Sequence, residues 1–186
     1  MPKYFDLCLD EVAIVREQAA KQATASIIRN LASSQDEIEY AASRMKYFFE
    51  SPSCTHRQVF VWMIESIIFD EVTSGKCSTS KKGGLIQTMV CSLFKNEMLS
   101  LSKDLISNIR VSLAEIFMKL HQTFEQHPEY QDRLLEIMNY PLIVEVLQTL
   151  KQDKCELVLE YLAWITVKST RASSLEDDEA ISQKEN

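Results

Sequence analysis

Glycine and proline are scarce in this chain: three and four residues among 186. Turn-rich sandwiches and barrels use many of both, so such all-β architectures are excluded, as are collagen-like and linker-like compositions. Long apolar runs are missing too. The richest stretch, Val59–Phe69, is shorter than the roughly 18 residues of a membrane span, and Glu65 interrupts it. His56, His121 and His127 are the only histidines, and none stands in a metal-binding spacing. GxSxG, GxGxxG and P-loop motifs are absent. The five cysteines, Cys8, Cys54, Cys77, Cys91 and Cys155, form no CxxC pair, which argues against a zinc site or disulfide framework and for reduced, buried thiols. Bases number 20 against 27 acids, for a formal charge of −7 and no basic stripe. No nucleic-acid partner is expected from such a balance. No secretion signal is visible at the N-terminus. Together these absences predict a non-catalytic, cofactor-free and metal-free chain with no membrane partner. They predict a cytoplasmic location, with the nucleus open as a second compartment.

What the chain has in quantity is helical periodicity. Val15, Ala19, Ala20, Ala23, Ile27 and Leu31 recur mostly in steps of three and four, and similar stripes run through 56–69, 105–120 and 155–167. Shorter helical segments precede them at about 36–50, 84–101 and 141–151, with another turn or two over Tyr130–Asn139. No alternation of period two is sustained. The fold class read from this pattern is all-α.

The long helices share a frame. Asp10, Asp104 and Asp153 each stand five residues before Val15, Ile109 and Val158, and Ser51 stands five before His56. The next position is Arg16, Arg57 and Arg110 in three units and Leu159 in the fourth. Beyond it come apolar or small pairs: Ala19 and Ala20, Phe60 and Val61, Leu113 and Ala114, Leu162 and Ala163. An acid or Ser before a helix can accept from its unpaired N–H groups and favours the positive end of its dipole. An Arg one turn later can reach an acid on the neighbouring unit with its fixed fork of donors. Asp10, Arg16, Asp104, Arg110 and Asp153 are therefore expected to stack the units. The arginine position of the frame recurs at intervals of 41, 53 and 49 residues, the longest carrying the insertion 73–82. Helix pairs repeated at roughly 40–47 residues describe a HEAT or armadillo-like solenoid, here of about four pairs. The expected repeats are about 1–32, 36–70, 84–124 and 130–168, with 169–186 a disordered acidic tail poor in apolar side chains.

Leu9-Asp-Glu-Val-Ala-Ile-Val-Arg-Glu-Gln-Ala-Ala20 resembles the turn and inner helix of a HEAT repeat. The ordered set of turns resembles the C-terminal repeats of the scaffold (A) subunit family of protein phosphatase 2A. Ser51-Pro-Ser-Cys-Thr-His-Arg57 is similar to that family's Asp-Pro-Asn-Tyr-x-His-Arg turn. Asp104-Leu-Ile-Ser-Asn-Ile-Arg110 is similar to its Asp-Pro-Val-x-Asn-Val-Arg turn, and Leu147–Asp153 with Val158 to its last repeat. The regulatory subunit of the related phosphatase 4 is built from similar repeats. The resemblance implies a scaffold that holds a Ser/Thr phosphatase catalytic subunit on its ridge of turns, with other regulatory subunits open as further partners. It carries partner contacts onto His56, Arg57, Ile106 and Asn108. Ser51 in place of the turn Asp, Leu105 in place of the turn Pro, and Leu159 in place of Arg depart from the pattern. A generic HEAT adaptor for an unrelated partner is the alternative reading.

Other features have plainer expectations. Trp62 and Trp164 are expected in the core or between repeats, Tyr47, Phe48 and Phe49 packed, and Met89, Met98, Met118 and Met138 as core fillers. The basic loop with Lys76, Lys81 and Lys82 is expected to be a solvated insertion.

Overall fold

The structure is a computed structural model that describes residues 2–31, 34–73, 84 and 86–163, and every regular element among them is helical. A short helix, α1 (Pro2–Leu7), leads to α2 (Ala13–Gln18), which continues through a widened turn, Ala19–Ala23, into α3 (Thr24–Leu31). Helices α4 (Gln35–Glu50) and α5 (Cys54–Thr73) follow. A second widened stretch, Ile86–Leu93, runs into α6 (Lys95–Leu101), and α7 is Ser107–Gln126. A single tight turn, Pro128–Tyr130, precedes α8 (Gln131–Met138) and α9 (Pro141–Leu150), and helix resumes over 156–163. Trp164, Cys77, the three loop lysines and the tail 169–186 lie outside the described residues.

Local chemistry accounts for these boundaries. Ser34 starts α4 with a reciprocal cap: its hydroxyl accepts from the Glu37 amide at 3.3 Å, and Glu37 accepts from the Ser34 amide at 3.2 Å. The buried face of α4 is Ala41, Ala42, Met45 and Phe48, whose small residues let α5 approach. Helix α5 is apolar on nearly every side, with Val59, Phe60, Val61, Met63, Ile64, Ile67, Ile68 and Val72 all buried. It has to be, because α4, the α2–α3 run and α7 all pack against it. Pro141 opens α9, where its missing N–H costs nothing. The buried side chains join into one continuous cluster from Tyr4 to Leu162.

Two devices bind elements that are distant in sequence. The widened turn of Ala19–Ala23 frees backbone groups that need partners. Thr24 Oγ1 donates to the Ala20 carbonyl at 2.6 Å, Tyr4 meets both Thr24 and the Ala19 carbonyl, and the Ala25 amide donates to Ser66 Oγ of α5 at 3.2 Å. Burial raises the Tyr4 phenol far above its ordinary pKa, so it remains a donor. Five residues beyond Ser66, near the C-terminal end of α5, buried Glu71 pairs with Arg133 of α8 and accepts from the Ile86 amide at 2.7 Å. Gly84 passes so close that a Cβ there would run into the Glu71 carboxylate.

Two packing expectations need correction. Tyr47 is exposed, not packed; three successive helical residues span about half a turn, so Phe48 takes the core and Tyr47 is turned outward. Cys54 is exposed, since it opens α5 at a surface turn, while Cys91 and Cys155 are only half-buried. Trp62 is half-buried, packed against the core and lining a groove between the α2–α3 run and α7. Met89 and Met98 are fully buried, and Met118 and Met138 partly so.

Candidate functional site

The four turns that precede α2, α5, α7 and the 156–163 helix are built alike. In each, a side-chain oxygen accepts from the amide two residues on: Asp10 from Val12 at 2.8 Å, Ser51 from Ser53 at 3.2 Å, Asp104 from Ile106 at 2.9 Å and Asp153 from Cys155 at 2.8 Å. That bond folds the turn and points the following residues away from it. Six residues after the first three, an Arg donates NH1 back to the turn's own carbonyl: Arg16 to Asp10 at 2.6 Å, Arg57 to Ser51 at 3.1 Å and Arg110 to Asp104 at 2.5 Å.

The remaining donors of two of these arginines cross to the next turn. Arg57 grips Asp104 with Nε at 2.7 Å and NH2 at 3.1 Å. Arg110 grips Asp153 in the same way, at 2.5 and 3.0 Å. These are two-pronged, charge-assisted pairs, the strongest form an Arg–carboxylate contact takes. Both carboxylates are close to buried, 9% and 6% exposed. Burial pushes the Asp104 carboxyl up, but the Arg57 fork and the Ile106 amide more than offset that and hold it below the ordinary range. Asp153 is held low chiefly by Arg110. Each Asp thus serves two neighbours: it folds its own turn and receives the Arg of the unit before.

The acids and arginines are spent inward, and apolar side chains are among those the turns show outward. Leu105 is 96% exposed and Ile106 41%, and Val12, Ile14, Leu157 and Leu159 are also exposed. Between the starts of α5 and α7 lies a surface depression of about 190 Å³, lined by Cys54, Thr55, Gln58, Ile106, Asn108 and Ile109. Of the four residues assigned to partner contact by resemblance, Ile106 and Asn108 line this depression. His56 and Arg57 do not. His56 Nδ1 bonds Ser51 Oγ at 2.8 Å and its ring packs near Tyr47 and Phe48. Arg57 has Nε, NH1 and NH2 all engaged within the protein, including a second carbonyl, Pro52, at 3.1 Å.

Beside the turns, the part-buried flanks of the α2–α3 run, α5 and α7 carry a line of alternating charge. Lys21 lies 2.7 Å from Glu17 and 3.9 Å from Glu65, and Lys119 lies 2.9 Å from both Glu65 and Glu115. A groove of about 440 Å³ runs along it, past Lys21, Gln58, Trp62, Asn108, Ser112 and Glu115. Ser112 donates to Gln58 at 3.1 Å, and the Lys21 ammonium sits 5.4 Å from the centre of the Trp62 ring. The Glu17–Lys21 and Glu115–Lys119 spacings of four were legible signals. Glu65 as the link between them was not, because it depends on which helices become neighbours. Asn108 belongs to both the depression and the groove. Among the described residues no cluster of His, Cys, Asp or Glu could hold a metal ion, and no helix is long and apolar enough to cross a membrane. Comparison with protein-family models, with curated proteins and with solved structures finds no match for this chain.

Proposed function

We propose that this chain is a non-catalytic scaffold of stacked HEAT-type helix pairs whose ridge of turns binds the catalytic subunit of a 2A-type Ser/Thr phosphatase. The observation that carries the reading is the common construction of the four turns, each with the same side-chain-to-amide bond and three with the same returning Arg. Such a construction suits a stiff edge that presents apolar side chains at regular intervals. The mechanism is positional. Ile106 and Leu105 offer apolar surface, Asn108 offers an amide beside it, and Arg57 and Arg110 keep the turns in fixed relation without touching the partner. Hot spots of this kind are a few apolar anchors set in a polar surround.

The test is co-elution of the purified full chain with a purified 2A-type catalytic subunit on gel filtration, with the phosphatase 4 catalytic subunit run in parallel. A one-to-one complex that Ile106→Asp abolishes supports the reading. Separate elution of the 2A-type subunit and the native chain contradicts it.

A further inference from the structure

At the junction between the first and second turns the frame lacks its acid. Arg16 occupies the position of Arg57 and Arg110 and makes the same return bonds, to the carbonyls of Asp10 at 2.6 Å and Glu11 at 2.9 Å. Its Nε should then meet the acid of the following turn. Instead that nitrogen is buried with no hydrogen-bond partner among the described residues, a costly state for a charged donor. The residue in the acid's place is Ser51. Its hydroxyl accepts from the Ser53 amide at 3.2 Å, as Asp104 and Asp153 do from the Ile106 and Cys155 amides, and it meets His56 Nδ1 at 2.8 Å. The hydroxyl fills the turn-folding half of the acid's role. The half that receives the guanidinium is unfilled.

Ser51 is followed by Pro52, which is exposed, and Cys54 and Thr55 just beyond are exposed as well. Ser51 itself is extended, with φ −66° and ψ 137°, as a residue before proline prefers. A serine followed by proline in an extended surface turn has the form that proline-directed protein kinases accept.

We propose that Ser51 is a phosphorylation site for a proline-directed kinase, and that its phosphate supplies the missing anion for Arg16. The hydroxyl oxygen of Ser51 attacks the γ-phosphorus of ATP. The new bond is Oγ–P, the bond from that phosphorus to the departing ADP breaks, and the hydroxyl proton passes to the kinase's base. The product carries close to two negative charges and three strong acceptor oxygens. One oxygen keeps the Ser53 amide, another is offered to His56 Nδ1, and the third to the Arg16 fork, as the Asp104 and Asp153 carboxylates are to Arg57 and Arg110. The first junction then gains the pairing that Asp104 and Asp153 provide at the other two. This inference is independent of which partner occupies the ridge.

The test uses the full chain, ATP and a purified proline-directed kinase, with phosphate placed by mass spectrometry and stability read from thermal melting. The expected results are phosphate on Ser51, lost in Ser51→Ala, and a melting temperature raised by about 2–4 °C. Arg16→Gln should cancel the rise, and Arg16→Lys should reduce it by keeping the charge without the fork. Ser51→Asp, which needs no kinase, should give part of the rise with Arg16 present and none with Arg16→Gln. Absence of phosphate on Ser51 under conditions that fully label a control Ser-Pro peptide overturns the site. A melting temperature that fails to rise, or a rise that survives Arg16→Gln, overturns the pairing.

Discussion

The junction between the second and third turns and the junction between the first and second share one construction and differ in the side chain at the acceptor position. Where Asp104 stands, the Arg57 fork is closed by two bonds to a carboxylate. Where Ser51 stands, the corresponding Arg16 keeps its return bonds but leaves Nε buried and unbonded. Folding the turn therefore needs only an oxygen two residues before the amide, which serine supplies. Locking one turn to the next needs a charged, two-pronged acceptor, which serine lacks. The two tasks coincide in aspartate and come apart at Ser51.

That comparison can be broken by substitution. Asp104→Ala should cost about 3 kcal/mol in urea unfolding, because it strands the Arg57 guanidinium and the Ile106 amide together. Ser51→Ala, at the equivalent place, should cost about 1–2 kcal/mol, the value of the two hydrogen bonds its hydroxyl makes to the Ser53 amide and His56 Nδ1. Equal losses at the two positions would remove the distinction. A double-mutant cycle sharpens it further. Arg110 and Asp153 should show a coupling of about 1–2 kcal/mol, whereas Arg16 and Ser51 should couple by less than about 0.5 kcal/mol.

Acid should act on the carboxylate junctions selectively. Asp104 and Asp153 have native pKa values below the ordinary carboxylate range, so the unfolded chain binds protons more readily than the native one. Their contribution is complete above about pH 4, the unfolded value, and disappears as pH falls through their lower native values. The urea midpoint should therefore drop below about pH 4, and Asp104→Asn should make that drop shallower. The smallest effect is expected on the outer side of the same turns. Leu105 is almost wholly exposed, and Leu105→Ser should change unfolding free energy by less than about 0.5 kcal/mol.

Much of this was legible in the amino-acid order. The acid-to-Arg frame recurs with fixed internal spacing, so the crossing of Arg57 to Asp104 and of Arg110 to Asp153 could be anticipated from an Arg one turn into each helix. The long helices were visible because their apolar positions repeat every three or four residues. The widened turn at Ala19–Ala23 was not, since no glycine or proline marks it; it is held open by Tyr4, Thr24 and Ser66, which meet only in the folded chain. Glu71 was hidden for a similar reason. It follows an apolar stretch, and its partner Arg133 lies three helices further on. Resemblance pointed to Arg57 as a surface contact, but a side chain's type and position do not reveal that all its donors are already spent. Exposure, which decides whether a residue can meet a partner, depends on the neighbours that folding brings.

The central claim is that the ridge of turns is a docking edge, and calorimetric titration of a 2A-type phosphatase catalytic subunit into the full chain tests it most directly. The account predicts saturable one-to-one binding that Ile106→Asp weakens by about 2 kcal/mol or more while the melting temperature stays unchanged. Equal affinity for the native chain and the Ile106→Asp variant, or no binding by the native chain, would contradict it.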